Sequence, residues 1–278
     1  MPGNPTNSSE GQKRTGWIGS LLALPNDSTV KTLVVALLLC LVCSVLISTA
    51  AVSLKPLQIT NRDLDRKKII LEVTKLMRAG TSLDELFKQV EPKVVDLETG
   101  EYVDSINPNQ YDQRKAAKDP LESVAIPRDR DVAHIKRRAK YATVYLYKEN
   151  DKVKYFVLPI HGYGLWSTLY GFLVLEGDAN TVFGLQYYEH AETPGLGGEV
   201  DNPKWREKWH GKLVYDSQGA PQIKLVKGAV TPDDPKAQFH VDGLAGATLT
   251  ANGVTNMMRY WLGQDGFGPY LQKFQSAT

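Results

Sequence analysis

The chain is poor in cysteine: two in 278 residues, Cys40 and Cys43, both inside one apolar run. No disulfide framework can form outside that run, so the polar part tolerates either redox compartment. The C-x-x-C spacing could hold a metal or a redox disulfide. Two positions on one helix do not gather four ligands alone, and the plainer reading is two small apolar residues in a membrane helix. Charge imbalance is also missing, with 33 Lys and Arg against 31 Asp and Glu. That balance gives no basis for binding nucleic acid or another polyanion.

The common catalytic patterns are absent as well. There is no G-x-x-x-x-G-K-[ST] and no G-x-S-x-G. The five histidines, at 134, 161, 190, 210 and 240, form no H-E-x-x-H or similar ligand pair. His190-Ala-Glu192 reads as a structural histidine beside an acid. Internal repeats and low-complexity tracts are also missing.

What the chain does have is one long hydrophobic run, Thr32 to Leu54, uncharged over its 23 residues. As a helix it spans about 35 Å, enough to cross a bilayer with some tilt. A signal peptide is the competing reading, with Ser48-Thr-Ala-Ala51 as a small-residue cleavage site; its apolar core is ordinarily shorter. Residues 12–31 carry three basic residues and residues 55–74 carry five, which by the positive-inside rule points the large domain to the cytoplasm.

Four regions follow: a polar tail over 1–31 with an apolar patch at Trp17–Leu24, a transmembrane helix over 32–54, a helical and loop-rich part over 55–140, and a strand-rich part over 141–278. Asn61–Met77 has helical periodicity with Gly80 as a stop. Ser82-Leu-Asp-Glu85 is a capping box opening a short helix through Val90. Lys93–Leu97 and Tyr102–Asp104 flank Thr99-Gly100 as a hairpin. Arg128–Lys140 is a charged run that reads as a solvated helix or surface loop, or as a docking patch. Three further hairpins are expected: Tyr141–Lys148 with Lys154–Ile160, Gly171–Glu176 with Val182–Tyr188, and Lys212–Tyr215 with Gln222–Val226. The predicted class is α+β, an antiparallel sheet with flanking helices behind one N-terminal membrane helix.

Three stretches carry candidate chemistry. Gly162–Gly171 (GYGLWSTLYG) joins two strands and offers Trp166 as a flat surface or an ordinary core residue. His190–Gly198 (HAETPGLGG) contains the turn Pro194-Gly195 and glycines able to present N–H groups. Asp242–Thr250 (DGLAGATLT) leads into an amphipathic helix over Val254, Met257, Met258, Trp261 and Leu262, ending at Gly263. Thr248 or Thr250 is the expected N-cap. The same helix start favours a phosphate, which a hydroxyl there could carry covalently.

Asp242-Gly-Leu-Ala-Gly-Ala-Thr248-Leu-Thr250 resembles the flavinylation motif of the FMN-binding domain family, and within it the C subunits of bacterial sodium-pumping NADH:quinone oxidoreductases. The Gly162–Gly171 loop, Glu192–Gly197 (ETPGLG) and Val226-Lys-Gly228 extend the resemblance. It implies FMN esterified through its phosphate to Thr248 by a separate flavin transferase, with Asp242, Gly243, Gly246, Ala247 and Thr250 completing the recognition motif. Trp166, Thr168, Glu192, Thr193, Leu196 and Lys227 are implied to line the flavin pocket. Many members have Ser where this chain has Ala245.

The implied role is an electron carrier that does not itself oxidise NADH. It sits in a bacterial inner-membrane complex of six subunits and passes electrons toward a second covalent FMN, in the B subunit, and then to ubiquinone. The resemblance places the soluble domain in the periplasm, against the basic-residue count. Two other readings are the equivalent subunit of the related Rnf electron-transport complex and a membrane-anchored binding module without redox function. The long N-terminal tail and the helical segment before residue 140 favour the sodium pump over Rnf.

Overall fold

The computed structural model describes residues 28–275, together with Gly19 and Pro25. Most of the 1–31 tail, including the Trp17–Leu24 patch apart from Gly19, lies outside the described residues. The chain divides into two compact units, Met1–Arg62 and Asp63–Thr278.

Helix α1 runs unbroken from Thr29 to Val73, 45 residues, with Pro56 inside it. Its apolar part is long and apolar enough to cross a membrane, and none of the residues in that stretch is buried in the protein. Such a face is stable only against lipid or a partner, which fits a membrane anchor. The separate helix expected over Asn61–Met77 is the end of α1, and it stops at Val73, short of Met77. The stop is a Schellman motif with Lys75 at φ 55°. Leu76 N–H donates to Leu71 O at 2.9 Å and Lys75 N–H to Glu72 O at 3.0 Å. Helix α2, Leu83–Phe87, starts as predicted: Ser82 Oγ accepts from Glu85 N–H at 3.3 Å. It ends before Val90, because Val90 opens the first strand.

The second unit is built on a five-stranded antiparallel sheet, order β1-β4-β5-β6-β7. The strands are β1 Val90–Asp96, β4 Tyr141–Glu149, β5 Lys152–Tyr163, β6 Thr168–Glu176 and β7 Val182–Glu189. Between β1 and β4 lie α3 (Gln113–Ala116) and the small pair β2 (Ser123–Ala125) and β3 (Arg137–Ala139). Strand β3 is the end of the charged run, and Arg138 within it is buried, so the run is not wholly solvated. The turn between β4 and β5 places Asn150 and Asp151 at φ 53° and 61°. That is the type I′ geometry a two-residue hairpin requires, and Asn and Asp tolerate it.

Both sheet faces are covered. Val144, Leu146, Phe156, Leu158, Ile160, Leu173 and Leu185 belong to one core with α5 (Thr248–Trp261) and α6 (Gly268–Gln275). Tyr145, Val157, Phe172 and Val174 face the other way, against Ile70, Leu71 and Val73 of α1 and Leu86 of α2. Burial on both faces explains why the strands read as nearly continuous apolar runs.

Two expected hairpins form but are shorter than predicted. In the first, Tyr102 bridges Val95, with Asp96 N–H donating to Glu101 O at 2.9 Å and Val103 N–H to Val94 O at 2.8 Å. In the second, Lys212–Tyr215 and Gln222–Val226 meet through a bridge between Tyr215 and Pro221, with Asp216 N–H donating to Ala220 O at 3.1 Å and Gln222 N–H to Val214 O at 2.8 Å. Leu213 bridges Thr181. Lys224–Leu225 (β8) pairs in parallel with His240–Val241 (β9). Helix α4, Pro203–Glu207, lies between β7 and β8, in a stretch for which no helix is expected from the sequence.

Candidate functional site

Helix α5 and three loops meet at one end of the sheet. Neither threonine is the N-cap of α5. Ala247 holds that position without a side-chain cap, and Thr248 is the first helical residue. Residues two apart on an α-helix point about 200° away from each other. Thr248 is accordingly exposed, while Thr250 is buried at 1%. Thr250 Oγ1 donates to Glu192 Oε2 at 2.6 Å.

Glu192, itself buried, gathers the first loop. Strand β5 extends to Tyr163 and β6 starts at Thr168, so the connection is a tight turn over Gly164–Ser167. Glu192 Oε1 accepts from the N–H groups of Leu165 at 3.1 Å, Trp166 at 3.0 Å and Ser167 at 3.3 Å. Burial pushes the Glu192 pKa up, but the hydrogen bonds from Thr250 and these backbone donors outweigh it and hold it below the ordinary glutamate value. With its N–H turned inward, Trp166 projects its indole outward, 65% exposed.

Glycine lets α5 come this close. A Cβ on Gly253 would lie 2.4 Å from Tyr163 O, and one on Gly164 would lie 2.6 Å from Glu192 Oε1. At the helix entrance Gly246 has φ +69°, and Leu196 Cδ2 stands 3.0 Å from where its Cβ would be. Leu196 from the second loop and Leu249 from α5 are both exposed. The exposed hydroxyl of Thr248 thus opens a helix beside a small-residue cradle, with exposed Leu165, Trp166, Leu196 and Leu249 on the same three segments.

Asp242 is bound inward. Its Oδ1 accepts from Val230 N–H at 2.9 Å, its Oδ2 receives Lys208 Nζ, and its carbonyl accepts from Trp205 Nε1 at 2.9 Å. Burial raises its pKa, and Lys208 with the Val230 N–H lowers it further than burial lifts it. Gly243 meets the V-K-G element: its N–H donates to Gly228 O at 2.8 Å, and a Cβ there would be 2.3 Å from Val226 O. Asp242 and Gly243 are therefore fold-setting positions within the motif.

The structure brings Trp166, Glu192 and Thr250 together, joins Leu196 to Gly246, and ties Asp242 and Gly243 to the loop bearing Lys227. Ala247 is the buried start of α5. Thr168 opens β6 opposite Tyr163, and Thr193 and Lys227 are exposed. Among the described residues the side chains of Thr168, Thr193 and Lys227 hydrogen-bond to none of the other candidates. His190 is structural in the expected sense: its Nε2 contacts Asp201 Oδ2 at 2.8 Å. Cys40 and Cys43 lie exposed on α1.

A family model described as FMN-binding domain matches residues 164–263, from the first loop to the end of α5. The C subunit of the Na(+)-translocating NADH-quinone reductase of Pseudomonas aeruginosa is 53% identical over 255 residues, which is 90% of this chain and 98% of that one. The chain belongs to this family of C subunits. The C subunit of Vibrio alginolyticus is 49% identical over 258 residues, covering 92% of this chain and 99% of its own. The crystal structure of Shewanella oneidensis NqrC superposes with a TM-score of 0.69 at 34% identity, over 76% of this chain and 97% of that one. The C-subunit fold thus extends well beyond the 100 residues of the FMN-binding match.

Several contacts that shape the site carry no sequence signal. Lys208 and Trp205 belong to α4 and its end, and the start of that helix is legible: Asn202 caps it, accepting from Lys204 N–H at 3.0 Å, and Pro203 occupies the first turn. Ser167 Oγ accepts from Ala191 N–H at 2.7 Å, and Thr255 Oγ1 accepts from Leu225 N–H at 3.1 Å. No local pattern reports contacts of that kind.

Proposed function

We propose that this chain carries FMN esterified through its phosphate to Thr248, and serves as the electron-transfer subunit of a sodium-translocating NADH:quinone oxidoreductase. The observation that carries the reading is the opposite fate of the two threonines. Thr248 offers an exposed hydroxyl on the first turn of α5, whereas Thr250 is buried and committed to Glu192.

The residues fit the group. Free N–H groups and the dipole at the start of α5 stabilise the charge left on a phosphodiester. Gly246 keeps the approach to Thr248 open. Leu165, Trp166, Leu196 and Leu249 offer the flat and apolar surfaces that a partly apolar ring system needs. Lys227 and Thr193 supply exposed polar groups at the rim, and Thr168 stands at the base of the Trp166 turn. When bound, FMN supplies the redox chemistry, and the protein sets its position and surroundings.

The ester is made by a separate flavin transferase. Residues 55–140 form the membrane-proximal part and 141–278 the FMN-binding part. The chain crosses the bacterial inner membrane once, through α1, with the soluble unit in the periplasm. Its partners are the other members of an assembly of six subunits, and electrons leave toward the FMN of the B subunit and ubiquinone. Full-length Thr248→Ala made alongside the transferase is expected to be folded and free of covalent flavin, and Thr248→Ser to keep it. Covalent flavin on folded Thr248→Ala overturns the attachment site, and the absence of flavin from the unmodified chain favours a binding module without redox function.

A further inference from the structure

We infer that Glu192 is a positioning residue: its buried carboxylate ties the Leu165–Ser167 turn to the first turn of α5, fixing where Trp166 stands and keeping Thr250 out of reach while Thr248 stays open. The part concerning modification rests on the reading of Thr248 given above; the tie itself does not.

The geometry is that of an anion held in a nest. Three successive backbone N–H groups, from Leu165, Trp166 and Ser167, converge on Oε1. Leu165 N–H also reaches Oε2 at 3.3 Å, where Thr250 Oγ1 donates at 2.6 Å. Converging amides of this kind commonly hold a bound anion. Here the anion is the protein's own side chain, so this nest is already filled. Two glycines make the room: a Cβ on Gly164 would be 2.6 Å from Oε1, and one on Gly197 would be 2.7 Å from Oε2 and 2.6 Å from Thr250 Oγ1.

Glu192 is in turn held from behind. Its N–H donates to His190 Nδ1 at 3.2 Å, and the neighbouring Ala191 N–H donates to Ser167 Oγ at 2.7 Å. The segment 190–192 is thereby fixed to the turn by backbone and side chain alike. Apart from the carboxylate and Ser167, the turn is closed by Gly164 N–H to Ser167 O at 2.8 Å and by Tyr163 Oη to Trp166 O at 3.4 Å. Every donor aimed at Glu192 suits an ionised acceptor. Glutamine keeps the shape but turns one acceptor into a donor facing other donors.

The test uses full-length Glu192→Gln, Thr250→Val and Thr250→Ser, made without and with a flavin transferase. In the flavin-free proteins, amide exchange at Leu165, Trp166 and Ser167 is expected to speed by at least about tenfold in Glu192→Gln and about threefold in Thr250→Val. Thr250→Ser, which keeps the donor, stays at the unmodified rate. Indole emission from Trp166 shifts with exchange. With the transferase, covalent flavin on Thr248 falls in Glu192→Gln and Thr250→Val and is restored in Thr250→Ser. Unchanged exchange in folded Glu192→Gln overturns the inference. Should Glu192→Gln not fold, equal exchange in the two Thr250 variants overturns it. Absence of flavin from the unmodified chain counts against the attachment site alone, because the exchange result still decides the tie.

Discussion

Gly253→Ala sets two principles against each other. Gly253 sits in the interior of α5, where alanine is intrinsically better by about 1 kcal/mol. On propensity alone the variant gains stability. The structure reverses the sign. The new Cβ would lie 2.4 Å from Tyr163 O, 2.9 Å from Gly164 Cα and 3.3 Å from Tyr163 C. Ordinary carbon contacts begin near 3.4 Å. All three atoms are backbone, at the mouth of the turn that Glu192 holds, so no side chain can swing away. Overpacking of this kind costs roughly 1–3 kcal/mol, and backbone rigidity pushes toward the upper end. The net loss is then about 1–2 kcal/mol. At about 2–4 °C per kcal/mol for a unit of this size, Tm falls by roughly 2–8 °C. The assay is thermal melting of the full-length chain in detergent, with Asn252→Ala on the exposed side of the same helix as the control. A Gly253→Ala protein as stable as the control, or more so, refutes the claim that α5 and the Tyr163–Gly164 backbone are in tight contact.

Acid titration tests the inward carboxylates. Glu192, Asp242 and Asp234 are held below their ordinary values, the last chiefly by its hydrogen bond to His240. Their contribution is complete above about pH 4, the ordinary carboxylate range, and is lost as pH falls through the depressed folded values. Buried His161, its pKa pushed down to about 4, makes the urea midpoint fall as pH drops below about 6.5, and the carboxylates add a further drop below about pH 4 that is shallower in Glu192→Gln; parallel profiles in that lower range reject Glu192 as a contributor. Tyr215→Phe removes the 2.8 Å hydrogen bond from the phenol to Leu262 O at the end of α5 and is expected to lose about 1–2 kcal/mol in denaturant titration. Lys75→Gly relieves a left-handed residue at the end of α1 and is expected to gain about 0.5–1 kcal/mol, since the exposed Lys75–Glu207 pair contributes little. A loss of stability instead places the side-chain contacts of Lys75, with Glu207 and over the Phe183 ring, above the backbone term.

Local chemistry makes much of this fold legible. Asn150-Asp151 marks its hairpin because both residues tolerate positive φ, and Ser82 with Glu85 marks a helix start. Length and the lack of charge mark the anchor. The helix after it reads as separate because polar residues begin at Lys55, yet the helix continues through Pro56 to Val73. The hairpin near Asp216 stays short for a non-local cause: Leu213 finds Thr181, and Leu225 finds Val241. Strand propensity names an edge but not its partner.

The site divides the same way. The two threonines are visible as a pair, and helical rotation alone places them on opposite sides. What the sequence leaves open is which side faces inward, because that depends on Glu192, 58 residues away. Glu192 and Asp242 stand out within recognisable motifs. Their inward bonding, to a turn and to Lys208, is a property of the assembled loops.

The most direct measurement is peptide mass spectrometry of the full-length chain made with a flavin transferase. The account predicts an FMN adduct, less one water, on Thr248 and none on Thr250. An adduct on Thr250, or an unmodified peptide from folded protein, contradicts it.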